Sequence, residues 1–100
     1  MRYNKLVRDK VLKNLEAKGI PFTSHIADKT EYWNKLKEKL VEEVAEFVKD
    51  ENIEEIADIL EVLNSIIEHK HFDRAEIEKT KSLKIEQKGG FKKRIILEES

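Results

Sequence analysis

The chain has 100 residues, of which 41% are charged, with 20 Lys or Arg against 21 Asp or Glu. A chain of this length usually forms one domain, so residues 1–100 are predicted to be a single domain. The near-zero net charge gives no support to binding nucleic acid through bulk charge, and the absence of cysteine excludes disulfides and cysteine-ligated zinc. With no apolar run long enough to span a membrane and no visible signal peptide, we expect a cytoplasmic protein without a membrane partner.

Helix signals occur four times along the chain. A first helix is predicted over about residues 4–18, with Asn4 as its N-cap and a Gly-x-Pro stop after it. A second is predicted from residue 28 or 30 to about residue 49, because Asp28 and Glu31 have the spacing of a capping box. A third is predicted over residues 53–70, and a fourth over residues 73–88, before Gly89-Gly90.

The third helix has more apolar surface than one small partner helix can cover, which predicts a homodimer or a higher oligomer. Two short stretches, residues 22–27 and 91–97, favour strand and are predicted to pair as a small ribbon. The predicted fold class is therefore mainly α: a helical bundle completed by oligomerisation, to which a short C-terminal β-ribbon is added.

Five acidic residues stand in the second and third predicted helices: Glu42, Glu43, Glu46, Glu55 and Asp58. Residues three or four apart share a helix face, so Glu43 pairs with Glu46, and Glu55 pairs with Asp58. If the two helices pack antiparallel, these four carboxylates can converge on one point. A set of oxygen ligands suits Mg²⁺ or Mn²⁺, and Mg²⁺ in proteins commonly joins carboxylates to substrate phosphates. The alternative is a solvated helix face, which is what most such patterns are in an acid-rich chain.

The apolar pattern of the third helix favours the metal interpretation. At about 100° per residue, Glu55 falls between Ile59 and Val62, and Asp58 falls just beyond Val62. A carboxylate among aliphatic neighbours is costly unless its charge is compensated, and a bound cation would compensate it. Alternatively, Glu55 is the N3 residue of a capping box that begins at Asn52, but that explanation leaves Asp58 unexplained.

These motifs resemble the signature of the all-α nucleoside triphosphate pyrophosphohydrolases, the MazG-like superfamily that includes phosphoribosyl-ATP pyrophosphohydrolase and dimeric dUTPases. An EExxE motif is followed by an ExxD motif, formed by Glu42, Glu43 and Glu46 and by Glu55 and Asp58. The segments YNKLVRDKV (residues 3–11) and KGGFKKRIILEE (residues 88–99) resemble the two ends of a small branch of that superfamily. The resemblance covers nearly the whole chain. It implies a MazG-like helical bundle, commonly dimeric, and Mg²⁺-dependent hydrolysis of a nucleotide between its α- and β-phosphates.

The resemblance also implies roles for individual residues. Mg²⁺, or Mn²⁺ in its place, would be held by Glu43, Glu46, Glu55 and Asp58. Glu42 and Glu43 would be catalytic, with Glu42 assisting or positioning the attacking water. The nucleotide substrate would be bound by Asn4, Lys5, Arg8, Lys88, Lys92 and Arg94. Two alternatives stay open: Arg8 and Asp9 pair with other side chains to hold the fold, and the C-terminal basic group is a helix stop followed by the charged edge of a strand.

Three functions are weighed on this basis. The first is a nucleoside triphosphate pyrophosphohydrolase that clears non-standard nucleotides, and the second is a phosphoribosyl-ATP-type activity on a larger nucleotide. The third is a helical dimerisation module without catalysis. Catalysis predicts that Glu55 and Asp58 face Glu43 and Glu46 across a cleft, whereas a module predicts that these side chains point outward and apart.

Overall fold

The computed structural model of the protein describes residues 4–100, which form four helices. In chain order these are α1 (Val11–Ala17), α2 (Lys29–Asp50), α3 (Ile53–Lys70) and α4 (Arg74–Lys88). The mainly α class is confirmed, as are the second, third and fourth predicted helices. Tyr3, the first residue of the N-terminal motif, lies outside the described residues. No helix within residues 4–100 combines the length and the apolar character needed to cross a bilayer.

Side-chain caps explain where three of the helices begin. The carboxylate of Asp28 accepts the N–H of Glu31 at 2.8 Å before α2, and the Asn52 side chain accepts the N–H of Glu55 at 3.0 Å before α3. Asp73 caps α4 in the same way. Each cap satisfies an N–H group that has no partner inside its helix. Because Asn52 caps α3 directly after Glu51, the turn between α2 and α3 is only two residues long.

Helices α2 and α3 form an antiparallel hairpin, which is the main helix–helix contact in the described residues. At the open end of the hairpin, the Trp33 ring stacks on His69 with the centroids 5.5 Å apart. Between the two helices, Leu36 is 1% exposed and Val62 is 8% exposed, and they are the only buried apolar residues in the described part of the chain. One packed seam therefore holds the hairpin together, and it positions every acidic residue considered below.

The hairpin has two unlike sides. On a wheel of α2 at 100° per residue, Glu43 lies at a smaller angle than the buried seam and Val44 lies at a larger angle. On the wheel of α3, Asp58 likewise lies at a smaller angle than the seam and Leu63 at a larger one. Because the helices are antiparallel, this common order puts the acids of both helices on one side, here called the acidic side. The opposite, apolar side carries exposed aliphatic residues: Val41, Val44, Val48, Ile53, Ile56, Leu60 and Leu63.

The chain by itself is extended. Its radius of gyration is 18.0 Å, whereas a compact domain of 100 residues has about 13 Å. It exposes 9581 Å², whereas a compact monomer of its mass exposes roughly 5,900 Å². The difference is larger than the roughly 800 Å² that each partner buries in a standard protein–protein interface.

The first predicted helix is wrong in its N-terminal half. Helix α1 begins only at Val11, and Asn4 is not its N-cap, because Lys10 occupies that position without a side-chain cap. Asn4 has a φ of 44°, in the left-handed region, which does not continue a right-handed helix. Residues 4–10 instead lie along the hairpin, where Lys5 and Arg8 form ion pairs with it. The segment therefore follows the surface of the hairpin and does not extend α1.

The predicted ribbon is also wrong, because residues 4–100 contain no strand. Residues 22–27 and 91–97 are irregular, and Ile95, Ile96 and Leu97 are between 77% and 82% exposed. Their β propensity expresses itself only when a neighbouring strand pairs with their backbone and covers one face. Within residues 4–100, neither segment has such a neighbour.

Candidate metal centre

Three carboxylates meet where the acidic sides of α2 and α3 face each other. Oxygen atoms of Glu43, Glu55 and Asp58 all lie within 4.8 Å of one another. The hairpin turn produces this meeting, since it sets the last three turns of α2 against the first two turns of α3. The N-cap at Asn52 and the metal interpretation of Glu55 are compatible, because Asn52 Oδ1 accepts the Glu55 backbone N–H while the Glu55 side chain joins the trio.

A second trio shares Glu55 with the first. Oxygen atoms of Glu46, Asp50 and Glu55 also lie within 4.8 Å of one another. All four sequence-predicted ligands thus take part, but Glu46 reaches the centre through Asp50 and Glu55 and does not belong to the trio around Glu43. The five carboxylates are called the acidic cluster: Glu43, Glu46, Asp50, Glu55 and Asp58.

The environment of the acidic cluster penalises negative charge. Glu43 is only 8% exposed, and the Lys39 ammonium 3.2 Å away partly compensates its charge. Desolvation raises the pKa of the Glu55 carboxyl above its ordinary value, and the nearby carboxylates of Asp58, Glu43, Glu46 and Asp50 raise this pKa further. A divalent cation at this point would relieve both penalties, because it supplies positive charge directly to the oxygens that repel one another.

The N-terminal segment brings two more cations to the edge of the cluster. Lys5 Nζ lies 3.0 Å from Glu42 Oε1, and Arg8 donates to Asp58 Oδ1 at 2.7 Å. Glu42 also faces the Lys39 ammonium at 3.8 Å, so it borders the cluster without entering either trio. Arg8 therefore pairs with another side chain, as the alternative interpretation expected. The partner of Arg8 is Asp58, which is a predicted metal ligand.

No family model, curated protein or solved structure matches this chain. The assignment of a function therefore depends on the residues and on their geometry. The chemistry of the donor set fits a hard cation: it is made only of carboxylate oxygens, one of which is buried, and Mg²⁺ and Mn²⁺ prefer such ligands. Histidine and cysteine, which softer metals favour, are absent from both trios.

The C-terminal basic residues do not pair with the acidic cluster within residues 4–100. Lys88, Lys92 and Arg94 are exposed, and within residues 4–100 their side chains form no hydrogen bond or ion pair. Asn4 is likewise exposed. Of the six residues predicted to bind substrate, Lys5 and Arg8 are the ones that form ion pairs with the predicted acidic residues in the part of the chain that the structure describes.

Sequence reasoning missed two residues of this region, Asp50 and Lys39. Asp50 follows Glu46 by four positions, and Lys39 precedes Glu43 by four positions. Residues four apart share a helix face, so the spacing alone could have indicated both. The EExxE pattern covers only three glutamates of this helix face and does not extend to Lys39 or Asp50.

Proposed function

We propose that this protein is a divalent-metal-dependent nucleotide pyrophosphohydrolase, which cleaves a nucleoside triphosphate to the monophosphate and pyrophosphate. The observation that carries the proposal is the convergence of Glu43, Glu55 and Asp58 oxygens within 4.8 Å. Three carboxylates from two helices meet beside a buried seam, where close like charges are costly even though Lys39 and Arg8 pair with two of them. The resemblance of the EExxE and ExxD motifs to MazG-like enzymes supports the same reaction.

The residues present would divide the chemistry as follows. Glu43, Glu55 and Asp58, with Glu46 and Asp50 beside them, would hold Mg²⁺ or Mn²⁺, which neutralises charge developing on the phosphates and activates water. Glu42, half-buried between Lys5 and Lys39, would hold the attacking water in line with the phosphoanhydride. Lys5 and Arg8 would bind phosphate oxygens at the rim, since ammonium and guanidinium groups form charge-assisted hydrogen bonds with them.

The active form is proposed to be a homodimer joined through the apolar side of the hairpin. Seven aliphatic residues of that side are between 37% and 86% exposed in the single chain: Val41, Val44, Val48, Ile53, Ile56, Leu60 and Leu63. A second copy of the same side would cover them in a four-helix arrangement, as in other bundles with apolar faces. The acidic side of each hairpin would then face away from the interface.

A panel of nucleotides tests the proposed reaction. The purified protein is incubated with canonical and modified nucleoside triphosphates, and with phosphoribosyl-ATP as the alternative substrate, and the pyrophosphate released is measured with Mg²⁺ and with EDTA. We expect release that requires Mg²⁺ and a nucleoside monophosphate as the second product. Release of inorganic phosphate alone would contradict cleavage between the α- and β-phosphates.

The competing function is a helical dimerisation module without catalysis, and the exposed apolar side is the observation in its favour. A module would dimerise equally well with and without metal and would release no pyrophosphate from any member of the panel. The convergence of the carboxylates favours the enzyme, because a module has no need to hold like charges together beside its apolar seam.

A further inference from the structure

The N-terminal segment crosses the acidic side from one helix of the hairpin to the other. Lys5 bonds Glu42 on α2, and Arg8 bonds Asp58 on α3. Three residues of extended chain cover about 10 Å, which matches the roughly 8–10 Å between the axes of packed helices. Residues 5–8 therefore bridge the two helices directly beside the acidic cluster.

Arg8 and a divalent cation require the same carboxylate. Arg8 NH2 lies 2.7 Å from Asp58 Oδ1, and Asp58 is one of the three residues whose oxygens lie within 4.8 Å in the trio. A cation held by the trio would repel the guanidinium and withdraw electron density from its acceptor. The pair is exposed, at 60% for Arg8 and 37% for Asp58, so it is weak enough to break.

We infer that Arg8 exchanges partners when the cluster takes a divalent cation: it leaves Asp58 and binds a phosphate oxygen of the substrate. The inference rests on the proposed function for the identity of that anion. A guanidinium group suits the exchange, because its planar fork of donors fits carboxylate and phosphate equally well. Metal loading thereby frees the cation that receives the phosphate, so metal and nucleotide each strengthen the binding of the other.

The first arm of the test measures metal affinity without substrate. Mn²⁺ is titrated calorimetrically into the full chain, into Arg8→Gln and into Arg74→Gln. Arg74 is the matched control, because it pairs with Glu68 and Asn64 near the other end of α3. Removing the competitor should make Mn²⁺ bind roughly two- to five-fold tighter to Arg8→Gln, while Arg74→Gln should bind it as the wild type does.

The second arm measures the binding of inorganic pyrophosphate in the presence of Mg²⁺. Arg8→Gln should bind pyrophosphate about tenfold more weakly than the wild type, because a charge-assisted hydrogen bond is lost. Arg8→Lys keeps the charge but not the planar fork, and its affinity should lie between the two. The opposite signs of the two arms, tighter metal and weaker phosphate, are what a purely structural role of Arg8 would not produce.

Each other outcome has a distinct meaning. Mn²⁺ binding to Arg8→Gln that equals or falls below the wild-type affinity overturns the exchange and leaves the proposed function standing. Tighter Mn²⁺ binding with unchanged pyrophosphate affinity also overturns it, since Arg8 would then act only as a competitor. A wild-type chain that binds no Mn²⁺ at all overturns the proposed metal centre, and the exchange with it.

Discussion

The acidic and apolar sides of the α2–α3 hairpin are built on the same two helices, yet a charged residue is buried on one and aliphatic residues are exposed on the other. Glu43 on the acidic side is 8% exposed, whereas Val41 on the apolar side is 70% exposed. Valine is often buried, and glutamate rarely is unless it is paired, as Glu43 is with Lys39 at 3.2 Å. We propose that each side has a further partner: a cation on the acidic side and a second copy on the apolar side.

The contrast also separates the two tasks. The buried seam of Leu36 and Val62 stands between the sides and holds them in a fixed relation. Changes on one side should therefore leave the function of the other largely intact, and the following predictions test this independence in order of expected effect.

The largest effect is expected from neutralising the acidic cluster. Glu46→Gln or Asp58→Asn removes a charged ligand where electrostatic stabilisation dominates the rate, so pyrophosphate release should fall by about a hundredfold or more. Folding should survive, because relieving repulsion among the carboxylates offsets the lost contacts in the metal-free state. The assay is pyrophosphate release from a substrate that the wild type turns over.

The controls for these variants come from the same helix. Glu54 and Glu61 are exposed on α3 and belong to neither trio, so Glu54→Gln and Glu61→Gln should have nearly wild-type rates. Sedimentation should find the same association state for Glu46→Gln as for the wild type. Unimpaired turnover by Glu46→Gln and Asp58→Asn would remove these residues from the catalytic centre.

An intermediate effect is expected from placing a charge on the apolar side. Leu60 is 60% exposed in the single chain, and burying a leucine contributes about 1.5–3 kcal/mol. In a symmetric dimer Leu60→Glu acts twice, so the dissociation constant should rise by roughly a hundredfold or more. Sedimentation equilibrium at micromolar protein measures it.

Ile26→Glu is the matched control for that charge, since Ile26 lies before α2 and is already 95% exposed. It should leave the dissociation constant unchanged. A wild-type chain that sediments as a monomer of 11.8 kDa would show that no second copy covers the apolar side. The proposed dimer would then be wrong.

The smallest effect is expected from pH, through Glu55. Its folded-state pKa is raised above the ordinary 4.5 by desolvation and by neighbouring carboxylates. The folded carboxyl thus holds its proton more tightly than the unfolded one, so its contribution favours folding below pH 4.5 and is lost as pH rises through the raised pKa. In EDTA, the wild type should lose thermal stability relative to Glu55→Gln as the pH rises through this raised pKa.

Thermal melts of both proteins across this pH range provide the measurement, with Glu54→Gln as the control. At neutral pH, Mg²⁺ should remove the difference in melting temperature between the wild type and Glu55→Gln, because it binds only the folded wild-type cluster. A difference between the two melting temperatures that does not change with pH would show that the Glu55 charge is not penalised in the fold.

The sequence predicted three helices closely because their ends carry local chemistry. Asp28, Asn52 and Asp73 each cap a helix in the structure, and each is a residue type that favours this position. The errors concern segments whose conformation depends on distant residues. Residues 4–10 lie against the hairpin, where Lys5 and Arg8 pair with Glu42 and Asp58. In the part of the chain that the structure describes, no strand lies beside residues 91–97. Neither fact can be read from the local sequence.

The candidate site divides in the same way. Helical spacing predicted that Glu43, Glu55 and Asp58 converge, and their oxygens do lie within 4.8 Å of one another, because acids on facing helix sides meet once the hairpin closes. The division of the cluster into two trios depends on the side-chain conformations of Glu46 and Asp50, which no periodicity fixes. The pairing of Arg8 with Asp58 spans fifty positions and could not be inferred from spacing at all.

The two-residue turn at Glu51 and Asn52 has a consequence for conformational entropy. Asp50 and Glu55 stand on opposite helices but are close neighbours along the chain, so bringing them together closes a very short loop. The entropy lost on closure grows with the number of residues enclosed, and here it is near its minimum. Bringing these two carboxylates together therefore costs little chain entropy. The same short connection that places them side by side also holds them there against their repulsion.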